Sequence, residues 1–314
     1  MELDGRVAVV TGGTRGVGAG IARAFLAAGA DVVVCARRPP GAPVASAGRT
    51  ARFVPVDLRD PAAVDDFLAE VARRHGRLDV LVNNVGGAPY RLLRDGGPER
   101  HARVLELNLV APLTVSLAAH GLLRAARGCV VMVGSVSATR PSPGTAAYGA
   151  AKAGLESLAR SMAVEWAPEV RVNTVVPGMV RTELSHLHYG DEQGVAAVGR
   201  TVPLGRLAEP DEIGDAAVFL ASPRAAYISG ASLLVHGGGE RPAFLDAATV
   251  NGGATVSGGG PGGGPAAAGE AVVDGARAGV DRDRSGVDGE GPGAGGAVGR
   301  TAGAPTRAAD DKEG

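Results

Sequence analysis

Residues 7–25 read VAVVTGGTRGVGAGIARAF, an apolar run that leads into four glycines within seven residues and then into an Ala-rich stretch. Val7–Val10 predicts a buried strand, and the pattern from Gly18 to Ala28 predicts a helix directly behind the turn. Glycines at such a turn let the backbone turn tightly and approach a pyrophosphate, while the helix N-terminus attracts phosphate. The stretch therefore predicts a strand–turn–helix unit that binds a dinucleotide.

The same alternation of short β-branched runs and longer amphipathic stretches continues to about residue 245. Continuous apolar runs indicate strands covered on both faces, and parallel neighbours need helical crossovers. The sequence predicts an α/β fold: a single doubly wound Rossmann domain, residues 1–245, with a seven-stranded parallel sheet. The predicted strands are 7–10, 32–35, 53–56, 80–82, 129–133, 170–176 and 232–235, and the predicted helices are 18–28, 62–75, 98–125, 146–167 and 211–221.

Composition changes at residue 246. From there to residue 314 the chain has no Leu, Ile, Met, Phe, Tyr or Trp. Such a segment cannot bury enough apolar surface to offset the entropy lost on ordering, so residues 246–314 are predicted to be a disordered tail.

Charge and cysteine content favour a small-molecule protein of the cytoplasm. The formal net charge is −1, which provides no global field to attract nucleic acid or an anionic membrane. We expect no signal peptide and no membrane span. The two cysteines, Cys35 and Cys129, have no metal or redox spacing and are expected to be buried thiols. We likewise expect no metal site at His186 and His188, which lack a third ligand nearby.

A second motif, YGAAK at 148–152, places Tyr148 and Lys152 on one face of a helix. A phenol has a pKa of about 10, and a neighbouring ammonium would lower it and make the phenol a usable acid or base. Ser135 lies thirteen residues before Tyr148, at the end of the fifth predicted strand. The carboxyl ends of strands are where such sheets place their sites.

With these motifs the sequence resembles the short-chain dehydrogenase/reductase family, in the branch of 3-oxoacyl reductases. The resemblance covers residues 3 to about 240 and includes, in the family's order, TGGTRGVG, NNVG, YGAAK and PGMVRT at 177–182. It implies reversible hydride transfer between a nicotinamide and a ketone or secondary alcohol. By the same resemblance Tyr148 is the general acid or base, Lys152 lowers its pKa and holds the ribose, Ser135 polarises the carbonyl, and Asn108 anchors a water. Ser137 is a rival for Ser135, which the thirteen-residue spacing favours.

The resemblance also implies the cofactor-binding residues, with Asp57 at the adenine and Thr182 at the nicotinamide end. One departure is Val85, which stands where the family has alanine. We expect it to tighten the fit and not to abolish binding. The full set predicted to bind cofactor, which includes Arg37 and Arg38 for the reason given next, is Gly12, Thr14, Arg15, Gly16, Val17, Gly18, Arg37, Arg38, Asp57, Leu58, Asn84, Gly86, Tyr148, Lys152, Pro177, Gly178, Val180 and Thr182.

Arg37 and Arg38 stand nineteen and twenty residues past Gly18, at the end of the second predicted strand. An acid at this place binds the ribose 2′-hydroxyl of NAD, whereas a guanidinium binds a 2′-phosphate. Arg15 is a third cation for the same phosphate. The sequence favours NADP(H) and leaves NAD(H) open, because two solvated arginines would give the same pattern.

The expected partner is a small carbonyl or alcohol substrate, bound between Gly87–Leu93, Ser137–Thr145 and Met179–Pro203. A 3-oxoacyl group and a cyclic or polyketide-like ketone both suit these weakly charged stretches. The resemblance implies a homotetramer, with a dimer as the next alternative. The alternative function is a non-catalytic dinucleotide-binding sensor, which would need the glycine turn but not the set Asn108, Ser135, Tyr148 and Lys152.

Overall fold

The computed structural model of the chain describes residues 1–87 and 89–242, all of which belong to one compact unit. The predicted tail, residues 246–314, lies outside the described residues, and the domain boundary at 245 remains a prediction.

Seven parallel strands form the central sheet, as the sequence predicts. The strands are β1 (Val7–Thr11), β2 (Asp31–Ala36), β5 (Arg52–Pro55), β6 (Val80–Asn83), β7 (Cys129–Val133), β8 (Arg171–Pro177) and β9 (Ser232–Val235). Their order in the sheet is β5-β2-β1-β6-β7-β8-β9. A two-stranded antiparallel hairpin, β3 (Ala45–Ser46) and β4 (Arg49–Thr50), lies between β2 and β5 and was not predicted.

Helices cover both faces of the sheet. They are α1 (Gly16–Ala27), α2 (Pro61–His75), α3 (Pro98–Leu105), α4 (Ala111–Ala126), α5 (Ala146–Glu165), α6 (His186–Tyr189), α7 (Glu192–Thr201) and α8 (Pro210–Ala221). The predicted helix 98–125 is interrupted by a π-turn, Glu106–Val110, between α3 and α4. Helices α6 and α7 lie where the sequence predicts only a wall of the substrate pocket.

Alternate residues of β1 point into two separate cores. Val9 packs with side chains of α2, α4 and α5, whereas Val10 packs with side chains of α1 and α8. Helices α1 and α8 approach so closely that a Cβ on Gly20 would lie 2.3 Å from the carbonyl carbon of Pro210. Continuous apolar strands are required because each strand is covered on both faces.

Strand β6 is fixed beside β1 by a buried carboxylate. Asp79, whose side chain is 1% exposed, accepts hydrogen bonds from Arg6 (2.7 Å), Arg77 (2.6 and 2.8 Å) and the backbone N–H of Val7 (2.9 Å). Burial raises the pKa of Asp79, but these hydrogen bonds outweigh it, and the pKa lies below its usual value. The ion pair therefore ties the two strands that flank the point where the strand order reverses.

The helical stretch Pro98–Ala126, π-turn included, is by length and composition alone long and apolar enough to cross a membrane. It is the one such helix among the described residues, and a third of its most apolar window is buried. Val115, Ala119 and Leu123 belong to the core, so packing accounts for the apolar residues on this face of the helix.

Candidate active site

The predicted glycine turn connects β1 to α1 and needs glycine for two different reasons. Gly12 and Gly16 have φ of +64° and +53°, a backbone conformation that L side chains rarely adopt. Gly18 is required by space, since a Cβ there would lie 2.3 Å from the carbonyl oxygen of Gly12 and 2.4 Å from Nδ2 of Asn84. The turn presents the N-terminus of α1 at the carboxyl edge of the sheet, where phosphate binds in such folds.

Two side chains join this turn to the end of β6. Thr11 Oγ1 accepts from the N–H groups of Asn84 (3.0 Å) and Val85 (3.1 Å) and donates to the carbonyl of Val82 (3.2 Å). Asn84 Nδ2 donates to the carbonyls of Thr11 (2.9 Å) and Gly12 (3.2 Å). Val85 is partly buried and packs against the core. The network spans β1 and β6, where the strand order reverses.

A cavity of about 870 Å³ runs from this turn to the N-terminal end of α5. Every residue predicted to bind cofactor lines it, together with Ser135, while Asn108 does not line it. Parallel strands β1, β2, β5, β6, β7 and β8 deliver these residues, because their carboxyl ends share one edge of the sheet. A cavity with a glycine cradle at its centre and cations at one end fits a dinucleotide.

Arg15, Arg37 and Arg38 are exposed and line the cavity at the end where the sequence predicts adenosine. None of the three forms an ion pair within the part of the chain that the structure describes. Asp57, predicted to contact adenine, is held by Arg59, whose Nε and Nη2 donate to its two carboxylate oxygens at 3.0 and 2.6 Å. The hydrogen bond from Arg59 lowers the pKa of Asp57 to about 2.

Arg59 was not predicted, although its position two residues after Asp57 is a usable signal for such a pair. It fixes the carboxylate that lines the cavity. Any contact between Asp57 and adenine must therefore share the carboxylate with the guanidinium of Arg59.

Lys152 is almost completely buried, and its Nζ donates to the carbonyl of Val133 at 2.7 Å. Nζ lies 5.6 Å from the centre of the Tyr148 ring, as expected from their four-residue spacing on α5. Burial lowers the pKa of Lys152 to about 8. The ammonium can thus lose its proton close to neutral pH.

Tyr148 faces Ser135 across the same cavity. Burial raises the pKa of Tyr148, and a hydrogen bond with the Ser135 side chain lowers it in part. The net direction is opposite to the predicted lowering, because desolvation disfavours the phenolate. A phenol held in its neutral form is a proton donor. The rival hydroxyl, Ser137 Oγ, accepts from Ser142 Oγ at 3.2 Å instead.

Asn108 is completely buried in the π-turn, and its side chain is fully occupied by backbone groups. Oδ1 accepts from the N–H of Gly87 (2.8 Å), and Nδ2 donates to the carbonyls of Gly87 (3.0 Å) and Val104 (2.8 Å). The contact with Gly86 is so close that a Cβ there would lie 2.5 Å from Oδ1. Asn108 therefore positions the strand-end segment beside the cavity, and its role in anchoring a water stays a prediction.

The segment 182–201 follows β8 and carries α6 and α7. Its residues Thr182, Glu183, Leu184 and His188 line the cavity. The segment is joined at its base by a parallel bridge between Val180 and Ala208. Glu183 Oε1 accepts from the N–H of Gly16 at 3.0 Å, a contact that was not predicted. Among residues 1–87 and 89–242 no group of three or more potential metal ligands is found, and His186 and His188 form none.

Known proteins share this chain's sequence and fold over its first three quarters. The matching family description, Enoyl-(Acyl carrier protein) reductase, covers residues 12–240. The 3-oxoacyl-(acyl-carrier-protein) reductase FabG of Vibrio cholerae is 38% identical over 242 residues, which are 76% of this chain and 98% of that protein. The enzyme of the same name from Escherichia coli is 36% identical over the same shares of both chains.

Solved structures agree with the sequence relatives. The ligand-free aldohexose dehydrogenase of Thermoplasma acidophilum has a TM-score of 0.71 and 28% identity, covering 75% of this chain and 94% of that one. A putative short-chain alcohol dehydrogenase from Sinorhizobium meliloti has a TM-score of 0.69 and 33% identity, covering 76% and 97%.

The chain belongs to the short-chain dehydrogenase/reductase family. It is an oxidoreductase that acts on alcohol and carbonyl groups and is similar to the 3-oxoacyl reductases.

Proposed function

We propose that the chain is an NADPH-preferring ketoreductase in which Tyr148 is the general acid. One observation carries the proposal: Ser135, Tyr148 and Lys152 line the same cavity as the glycine turn. A non-catalytic sensor would need the turn but not a neutral phenol, a serine hydroxyl and a buried lysine grouped beside it.

A nicotinamide cofactor held in this cavity would supply the hydride for the carbonyl carbon of the substrate. The chain's own groups act on the carbonyl oxygen. Ser135 donates a hydrogen bond that polarises it, and Tyr148 transfers its phenolic proton to it, giving a secondary alcohol. Lys152, while protonated, stabilises the phenolate that remains on Tyr148 and holds the nicotinamide ribose.

The preference for NADP(H) is supported by charge at the adenosine end. Arg37 and Arg38 follow β2, Arg15 lies in the glycine turn, and all three line one end of the cavity. A guanidinium binds a 2′-phosphate bidentately, whereas the ribose of NAD lacks this group. Asp57 is already engaged by Arg59 and opposes the 2′-phosphate less than a free carboxylate would.

The proposed substrate is a moderately apolar ketone, either a 3-oxoacyl thioester or a cyclic ketone. The exposed ring of Tyr90 lies against Gly144, and the N–H of Arg91 donates to the carbonyl of Gly144 at 2.7 Å. This pairing joins two of the three predicted pocket walls next to the segment that carries Ser135 and Tyr148.

A substrate panel tests the proposal. A 3-oxoacyl thioester, a cyclic ketone and an enoyl thioester are each offered with NADPH and with NADH, and nicotinamide absorbance is followed. We expect turnover of at least one ketone, with NADPH preferred. Cofactor binding without turnover of any ketone would favour the non-catalytic sensor. Turnover of the enoyl thioester alone would show that the protein reduces a C=C bond and not a C=O bond.

We further propose a homotetramer in the cytoplasm. Val110, Leu117 and Val164 are 49%, 59% and 79% exposed on the adjoining π-turn, α4 and α5, and Leu234 is 54% exposed on edge strand β9. Exposed apolar side chains on packed helices favour association, and light scattering at micromolar concentration tests it. The cytoplasmic assignment is supported by the two free, buried cysteines.

A further inference from the structure

Helix α1 has no anion of its own at its N-terminus. Its first turn contains no acidic residue, and the N-cap, Arg15, makes no side-chain capping hydrogen bond. The carboxylate of Glu183 supplies the missing charge, because its Oε1 accepts from the N–H of Gly16 at 3.0 Å across 167 residues of sequence. This place favours anions through the unpaired N–H groups and the helix dipole.

The same place is where a dinucleotide cofactor puts its pyrophosphate. We propose that Glu183 is a latch: in the free protein its carboxylate stands in for a pyrophosphate oxygen, and the cofactor must displace it to bind. This inference rests on the proposed dinucleotide-dependent function. It adds a coupling between cofactor binding and the segment 182–201, which that function alone does not require. Cofactor entry releases the segment 182–201 from the glycine turn.

The side chain of Glu183 can move while the base of the segment 182–201 stays in place. At the base, Arg181 N–H donates to Ala208 (2.8 Å) and Ala208 N–H donates to Met179 (2.9 Å). Beyond the base, a tight turn orders the segment, since Thr182 N–H donates to Ser185 Oγ at 2.9 Å. From this turn the carboxylate of Glu183 accepts from the N–H of Gly16, while Thr182 is close enough that a Cβ on Gly16 would lie 3.5 Å from its methyl carbon.

The displaced carboxylate has space to occupy. Glu183 lines both the cofactor cavity and a second cavity of about 680 Å³ beside it. Arg23 and Arg181 line the second cavity, together with the acids Asp191, Glu192 and Glu209. A rotation of the Glu183 side chain toward this cavity removes a negative charge from the pyrophosphate position without unfolding the segment.

Two substitutions test the latch, and a third is the matched control. Glu183→Gln keeps the shape and removes the charge, and Glu183→Ala removes the contact entirely. Glu192→Gln removes an equal charge from the same segment, where Glu192 pairs with Arg181 at 2.8 Å and does not touch the glycine turn. If the carboxylate competes with pyrophosphate, the Kd for NADPH falls roughly three- to tenfold in both Glu183 variants, and stays within twofold in the control.

Two further measurements separate the latch from the proposed function. Amide hydrogen exchange of the unliganded protein should be faster at residues 182–190 in Glu183→Ala than in the control. Adenosine 2′-monophosphate lacks the pyrophosphate, so its Kd should be unchanged in all three variants.

The latch is overturned if exchange at 182–190 is unaltered, or if the Glu183 variants bind NADPH more weakly, because the contact would then belong to the bound state. If no variant binds NADPH, the proposed function is wrong, while the exchange measurement still decides whether Glu183 holds the segment.

Discussion

Replacing Asn108 by alanine should destabilise the protein well beyond the loss of one ordinary side chain. The amide makes three hydrogen bonds of 2.8, 3.0 and 2.8 Å to the backbone of Gly87 and Val104, and it is completely buried. Each net hydrogen bond contributes about 1 kcal/mol, and a buried backbone group left without a partner costs about 1–3 kcal/mol. Because relaxation or an entering water can satisfy part of this loss, we expect about 2–4 kcal/mol.

For a domain of this size that loss lowers Tm by roughly 5–15 °C. Thermal unfolding of Asn108→Ala followed by circular dichroism measures it. Thr114→Ala is the control: it removes a hydroxyl that bonds to Val110 at 3.1 Å near the surface of the next helical turn, and its Tm should change by about 2 °C or less. If Asn108→Ala melts within 2 °C of the unaltered protein yet loses turnover, the amide serves the reaction and not the π-turn.

Four further outcomes are expected. Tyr148→Phe should fold and bind NADPH but lose turnover by about a hundredfold to ten-thousandfold, and near-normal kcat would exclude it as the acid. The double substitution Arg37→Asp with Arg38→Ala should reduce or reverse the NADPH/NADH ratio of kcat/KM at low salt, and an unchanged ratio would leave the two arginines as solvated surface. Ketone reduction should fall as pH rises through about 8, where Lys152 loses its proton. Titration of Lys152 does not cause this loss of activity by unfolding the protein. Because the pKa of Lys152 is lowered in the native state, its contribution to the free energy of unfolding rises with pH between about 8 and 10.5. A flat profile from pH 7 to 9.5 would contradict this role. Asp79→Asn should cost about 2–4 kcal/mol at pH 7 by urea unfolding. Because the native pKa of Asp79 lies below its usual value, the difference should narrow as pH falls below about 4, and a constant difference would mean that its charge is not what stabilises β6.

The central sheet was predictable because each strand is a continuous β-branched run that is buried on both faces. Val170–Val176, for example, was predicted as a strand and is observed as Arg171–Pro177. The helix over 98–125 was predicted without its π-turn. A single turn with i→i+5 backbone hydrogen bonds does not change the hydrophobic periodicity of the sequence. The side chain that supports the turn, Asn108, looks in the sequence like any polar residue of a helix.

Contacts that depend on tertiary closure were missed for a different reason. Glu183 reaches Gly16 only because the segment after β8 folds back over the glycine turn, and neither residue's neighbours in sequence indicate this contact.

Two local features were also not predicted. The Asp57–Arg59 pair could have been proposed from its two-residue spacing. The hairpin of β3 and β4 has two-residue strands, too short for an alternating pattern to be recognised.

The geometry of the parallel sheet explains why the rest of the candidate site could be predicted from the sequence. Side chains that follow β1, β2, β6, β7 and β8 must meet at one edge, whatever the length of the crossovers. Once the strands are located, Gly12, Arg37, Asn84, Ser135 and Pro177 can be grouped without knowing any contact between them. What the strands do not dictate is which of these groups is already engaged by the chain itself. Asp57 is held by Arg59, Gly16 by Glu183, and Asn84 by the carbonyls of Thr11 and Gly12. Arg37, in contrast, forms no ion pair among the described residues and remains open to a ligand.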